Sequence, residues 1–189
     1  MMRAKVKTIK HGIKSGTSVP IKQHAGNVGR WAEKVLSNNG YILDNGKCVD
    51  IPGLNTEVKT RKIESNSAHT IATMSIDSVK TTDYFDSIVY KKFQQQYRIY
   101  YSDDQSVVIE DRVVDFSDPY IQSKISEGYA IIQKDIKNGC GNRYIASNGW
   151  LVAELTKSGG SYQFRVPNSA MKKFESMATN KFNEFFSYD

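Results

Sequence analysis

Cys48-Val49-Asp50-Ile51-Pro52-Gly53-Leu54-Asn55-Thr56-Glu57-Val58-Lys59-Thr60 is the stretch from which both fold and chemistry are read. It opens as a short apolar strand ending near Asp50, turns at Pro52-Gly53, and leaves as a second strand. Side chains alternate along a strand, so Glu57 and Lys59 share one face and Val58 takes the other. A Pro-Gly turn folds the chain back and brings Asp50 toward the Glu57 side. Two carboxylates and an ammonium then converge at one end of a hairpin. Hard oxygen ligands of this kind suit Mg²⁺, which takes one or two carboxylates and fills its shell with water and phosphate oxygens. A lysine beside such an ion can orient or deprotonate an attacking water. The pattern therefore predicts a metal-dependent phosphodiesterase.

Solvated hairpins also place Glu and Lys on one face. Context separates this one from them. Val49, Ile51, Leu54 and Val58 mark the hairpin as core-facing, which puts its charges at the border of buried structure.

Working outward, the 189 residues suit a single domain with one substantial core. A hydrophobic share of 39% and a charged share of 24% are those of an ordinary globular chain. No apolar run reaches bilayer length, and the lysine-rich start is not followed by an apolar stretch, so no membrane partner is expected. Cys48 and Cys140 are too few for a disulfide framework, which points to a reducing cytoplasm. Three scattered histidines with two cysteines do not suggest a structural zinc site. Seven basic residues precede Glu33 with no acidic one, while the remaining 19 face 20 acidic residues. The net charge of +6 thus sits at the amino end, as a solvated tail or as an arm on DNA phosphates. The expected organisation is a basic arm over 1–26, including Lys22, and one nuclease domain over 27–189.

Periodicity supplies the other elements. Val28, Trp31, Ala32, Val35 and Leu36 predict a helix capped at Asn27 and stopped at Gly40. Strands are expected at 41–43, 47–51, 54–60 and 70–76, with 60–69 a polar loop. A helix over 83–94 is followed by strands at 97–101 and 106–109, and the tyrosines at 97, 100 and 101 are assigned to core packing. Residues 119–137 have helical spacing, strands follow at 150–156 and 162–166, and a last helix runs from 168 to about 186. This order predicts a mixed α/β (α+β) fold with a central mixed β-sheet flanked by helices.

A helix bearing Glu33, a strand ending in Asp50 and a strand bearing Glu57-Val58-Lys59 together resemble the PD-(D/E)xK nuclease superfamily. The resemblance implies a restriction-endonuclease-like fold. The spacing of Asp50, Glu57 and Lys59 around Pro-Gly-Leu is similar to that of MutH-type nicking endonucleases and of type II restriction enzymes. The match covers about a quarter of the chain well and fades beyond residue 76. Val49 stands where the superfamily pattern has proline. Carried over by position, Asp50 and Glu57 ligate Mg²⁺, for which Mn²⁺ substitutes, and the Val58 carbonyl adds a ligand. Lys59 positions the attacking water, Glu33 contributes from its helix, and Lys92 stands for a second lysine near the site.

Reading sequence needs side chains that reach base edges. The candidate contacts to double-stranded DNA are Lys22, Arg30, Arg61, Lys62, Asn66, Asn142 and Arg143. One such site cuts one strand, so double-strand cleavage calls for a homodimer or a second nuclease subunit. A strand-nicking repair enzyme, a Holliday-junction resolvase and an inactive DNA-binding protein of the same fold are the alternatives. No Gly-rich phosphate loop suggests nucleotide hydrolysis, and no aromatic RNA-binding motif appears.

Overall fold

The structure is a computed structural model that describes residues 12–20, 27–44, 49–139 and 141–185. Lys22, Cys48 and Cys140 lie outside these, as do residues 47–48 of the expected strand, and the Asn27 cap and Phe182 lie outside the described side chains. The described residues form a mixed α/β fold with five helices and two sheets. None of the described helices is long and apolar enough to cross a membrane. The chain divides into two compact units: residues 1–65 with 95–114, and 66–94 with 115–189.

In the first unit, helix α1 (Asn27–Asn38) packs on a three-stranded sheet of β1 (Thr56–Lys62), β3 (Gln95–Ser102) and β4 (Val107–Asp115). The strand order is β1-β3-β4, and β1 runs parallel to β3 with Glu57 level with Gln96 and Lys59 with Arg98. The core on one sheet face gathers Val28, Ala32 and Leu36 of α1 with Val58, Tyr97, Ile99, Tyr101 and Val108. Ile13 and Val19 join it from the expected basic arm. Their segment runs beside β4, with Gly16 and Val19 amides donating to the Val108 and Ser106 carbonyls at 2.8 Å. Inside this unit the Tyr97 phenol donates to Asp111 Oδ2 at 2.7 Å and accepts from the Ile13 amide. Gly12 lies so near that a Cβ there would stand 2.5 Å from both Tyr97 OH and Asp111 Oδ2.

Helix α1 stops where glycine was expected to stop it. Gly40 has φ +89°, and the Tyr41 amide returns to the Leu36 carbonyl at 3.1 Å, closing the helix end. That bond uses a backbone group a strand would need, and 41–43 is irregular rather than the expected strand.

In the second unit, β2 (His69–Ser75), β7 (Ser161–Val166), β6 (Val152–Leu155) and β5 (Arg143–Ile145) form an antiparallel sheet in the order β2-β7-β6-β5. The expected single central sheet is thus two sheets. The β2 strand alternates like its neighbours in sequence, but its partner is β7, about ninety residues on, and local periodicity does not encode such a choice. Helices α2 (Ile76–Thr81), α3 (Ile88–Lys92), α4 (Pro119–Asn138) and α5 (Asn168–Phe185) complete the unit. Asp118 caps α4 by accepting from the Tyr120 and Ile121 amides, with Pro119 in its first turn. Ile121, Ile125, Tyr129, Ile132 and Ile136 are buried at the expected helical spacing, and Tyr129 stacks on Phe164 at 5.4 Å. The helix expected over 83–94 is broken at Ser87. Its hydroxyl donates to the Tyr84 carbonyl and accepts from the Tyr90 amide, ending one turn and starting α3.

Burial pushes the Tyr129 phenol up to about 12 from 10.0. Below pH 10 the phenol is protonated folded or unfolded. Between the two values the unfolded phenol ionises and the native one does not, so stability falls as pH rises. Urea midpoints taken at steps from neutral pH upward are expected to hold level to about pH 10 and then decline, with a shallower decline in Tyr129→Phe.

Candidate active site

The chain enters the site through a bend at Asp50 and an isolated bridge at Ile51. The Ile51 amide donates to the Thr56 carbonyl at 2.8 Å and the Thr56 amide returns to Ile51 at 3.2 Å. Between them Pro52–Leu54 makes one 3-10 turn, closed by Asn55 in the left-handed conformation with φ 50°. The expected Pro-Gly turn is therefore a compact four-residue link, and Asn tolerates that backbone geometry.

This link fixes which way each β1 residue faces. A residue's N–H and C=O point to the same side of a strand and alternate along it. Thr56 turns both groups outward to Ile51, so Val58 turns outward as well, while Glu57 and Lys59 bond toward β3. Asp50 meets the next outward amide: its Oδ2 accepts from Val58 N at 2.8 Å. The carboxylate thus extends the short ladder, and it lies on the same edge as the Val58 carbonyl.

The Glu57 and Lys59 side chains share the sheet face opposite the Val58 core. Lys59 Nζ donates to Glu57 Oε1 at 2.7 Å, with side chains 25% and 2% exposed. Of the residues read from the hairpin, Asp50 is held on the Val58 amide, and Glu57 and Lys59 are held on each other. A buried carboxylate is tolerable only when paired in this way.

The same face carries groups that sequence reasoning missed. Arg98 is buried at 3% exposure, level with Lys59, and Gln96 is level with Glu57. Arg98 donates from Nη1 to Gln96 Oε1 at 2.8 Å and from Nε to Tyr100 OH at 2.9 Å. The Arg112 guanidinium lies 4.9 Å from the Tyr100 ring centroid. The signal was the polar alternation Gln96-x-Arg98-x-Tyr100-x-Ser102, hidden by the tyrosines. Tyr97 and Tyr101 do pack in the core, but Tyr100 belongs to the charged face.

Glu33 is half-buried on α1, the helix packed over the Val58 face. Lys92 is half-buried in the last turn of α3, in the second unit. Arg30 is exposed on α1. Arg61 donates to the Ser65 carbonyl at 2.8 Å, which shapes the loop after β1. Lys62 pairs with Asp103, and that hydrogen bond raises its pKa. Asn66 and Asn142 are exposed, and the Asn142 carbonyl accepts from the Leu155 amide. Arg143 pairs with Glu154 at 3.3 Å, and Glu154 also holds Arg165 at 2.8 Å.

Among the described residues, no three acidic, histidine or cysteine side chains cluster as a metal cage. The available oxygen donors are the Asp50 carboxylate and the Val58 carbonyl on the outward edge of β1 and the Glu57 carboxylate on the adjoining sheet face. All are hard oxygens, and their number fits an ion that keeps places for water and phosphate rather than a closed structural site.

No protein-family model matches the chain, and no curated protein matches it.

Removing Lys59 leaves Glu57 buried without its ammonium. Lys59→Ala is expected to lower unfolding free energy by about 2–3 kcal/mol, and Glu57→Gln in that background to restore most of it. Urea unfolding of the two single variants and the double variant measures the coupling directly.

Proposed function

We propose that this chain is a Mg²⁺-dependent endodeoxyribonuclease of restriction-endonuclease-like fold that hydrolyses phosphodiester bonds in double-stranded DNA. Within that class we assign it as a type II restriction endonuclease or a subunit of one. The observation that carries the reading is the Asp50–Val58 bond, which lays a carboxylate along the very strand that bears the Glu57–Lys59 pair.

Asp50, Glu57 and the Val58 carbonyl would hold the ion. When bound, Mg²⁺ supplies Lewis acidity toward the scissile phosphate and makes its water a stronger nucleophile. Lys59 sits in a fixed place because Glu57 holds it, and from there its ammonium orients the attacking water and offsets charge gathering on phosphorus. Mn²⁺, another hard divalent cation of octahedral preference, is expected to substitute. Arg98 adds positive charge to the same sheet face, where Arg112 is paired with Glu110 at 3.6 Å, and the excess of basic residues before Glu33 favours a polyanionic partner. One such site per chain cuts one strand, so a double-strand break requires a homodimer or a second nuclease subunit. The alternative that the single site supports is a strand-nicking enzyme.

Supercoiled plasmid incubated with the purified chain and Mg²⁺ or Mn²⁺ tests this. Cleavage is expected, abolished by EDTA and slowed at least about a hundredfold in Asp50→Ala and Lys59→Ala. Discrete linear fragments would mark a restriction enzyme, and open circles a nickase. Cleavage unchanged in both variants, or persisting in EDTA, would overturn the proposal.

A further inference from the structure

The second unit carries a groove of about 560 Å³, open to solvent rather than enclosed, and lined by Tyr120, Trp150, Lys172, Lys173, Ser176 and Met177. We infer that this groove binds an unpaired nucleotide of single-stranded DNA, its base on the aromatic rings and its phosphate on the lysines.

The parts are held in place by the fold. Trp150 stands on the hairpin between β5 and β6. That loop is closed by the Ala146 amide on the Leu151 carbonyl at 2.9 Å and by the Gly149 amide on the Ala146 carbonyl at 2.8 Å. The Trp150 amide donates to Asn148 Oδ1, fixing the residue at the loop tip. Phe174, fully buried, stacks on the indole at 4.9 Å and supports it from the core side. Tyr120 enters from the first turn of α4 and is 49% exposed, unusual for so large a ring. Two aromatic platforms therefore reach the surface on rigid supports, the arrangement that base stacking exploits.

Among the described residues, the charged side chains that line the groove are Lys172 and Lys173, both exposed on α5. Asp118 stands beside Tyr120, but its carboxylate is engaged as the α4 cap, accepting from the Tyr120 amide at 2.9 Å. Lys173 Nζ lies 5.5 Å from the Trp150 ring centroid, and Lys124 Nζ 5.5 Å from that of Tyr120. The nearest carboxylate on α4 is Glu127, paired with Lys124 at 3.3 Å. An exposed ammonium over an aromatic face is held weakly. A base sliding onto the ring displaces it toward the phosphate that arrives with the base. Flat rings with cations at their margin match a nucleotide in both its parts. The open form favours a strand passing through over a free nucleotide, which a deeper cavity would enclose.

The groove is independent of the Asp50 site, and its test is run in EDTA, which removes the ion that the Asp50 site is proposed to hold. Binding of a fluorescein-labelled single-stranded oligo-dT to the full chain is measured by anisotropy. The single-strand affinity is expected to fall about tenfold in Tyr120→Ala and in the Lys172→Ala/Lys173→Ala pair. It should change less than about twofold in Lys134→Ala/Lys137→Ala, which removes equal charge from exposed positions on α4. Oligo-dT should also quench tryptophan emission in the native chain and not in Trp150→Phe, which keeps a ring on Phe174. Equal loss in both lysine pairs, equal loss for a duplex, or binding of phosphatidylserine vesicles in place of the oligonucleotide would overturn it. Asp50→Ala should bind oligo-dT normally while failing to cut plasmid, so the two readings fail separately.

Discussion

Strand β1 lies at the end of its sheet, so Thr56 and Val58 turn their amides and carbonyls away from any neighbouring strand. Such groups need partners if they are not to be left to water or to another chain. Ile51 answers Thr56 with two backbone bonds, and Asp50 answers Val58 with its side chain. The rest of the site follows from that substitution of a carboxylate for a ladder carbonyl. It fixes Asp50 beside β1, leaves the Val58 carbonyl on the same edge, and sets the faces so that Val58 faces the core while Glu57 and Lys59 take the other side.

That other side is expensive to build. A hydrophobic residue at Glu57 would spare the cost of burying a carboxylate, and one at Arg98 the cost of burying a guanidinium. The sheet instead carries Glu57 paired with Lys59 on one strand, and Arg98 bonded to Gln96 and Tyr100 on the parallel strand beside it. The stable apolar face beneath them, from α1 through Val58 to Tyr97 and Ile99, provides the rigidity that positions the charges.

Much of this was legible in the sequence, and what was not has definite causes. Alternation gave the two faces of β1, and periodicity gave α1, α4 and α5 nearly to their ends, because local spacing records burial directly. The identity of strand partners is not local: nothing in His69–Ser75 states that it pairs with β7, so two sheets were read as one. Short elements escaped for a similar reason. Helix α2 has six residues and β5 three, too few for a period to show. Within the candidate site, Asp50, Glu57 and Lys59 were visible because one turn joins them. Arg98 and Gln96 were not, since they come level with the pair only through parallel pairing across a 32-residue connection.

The proposed chemistry requires Asp50, on the outer edge of β1, and Glu57, on its adjoining face, to act as oxygen ligands to one ion. The direct measurement is Mn²⁺ binding to the full chain, followed by loss of the free-ion paramagnetic resonance signal, in the native protein and in Asp50→Asn and Glu57→Gln. Binding is expected to be saturable, competed by Mg²⁺ and weakened at least about tenfold by either substitution. Equal binding by all three proteins, or none by the native chain, would contradict it.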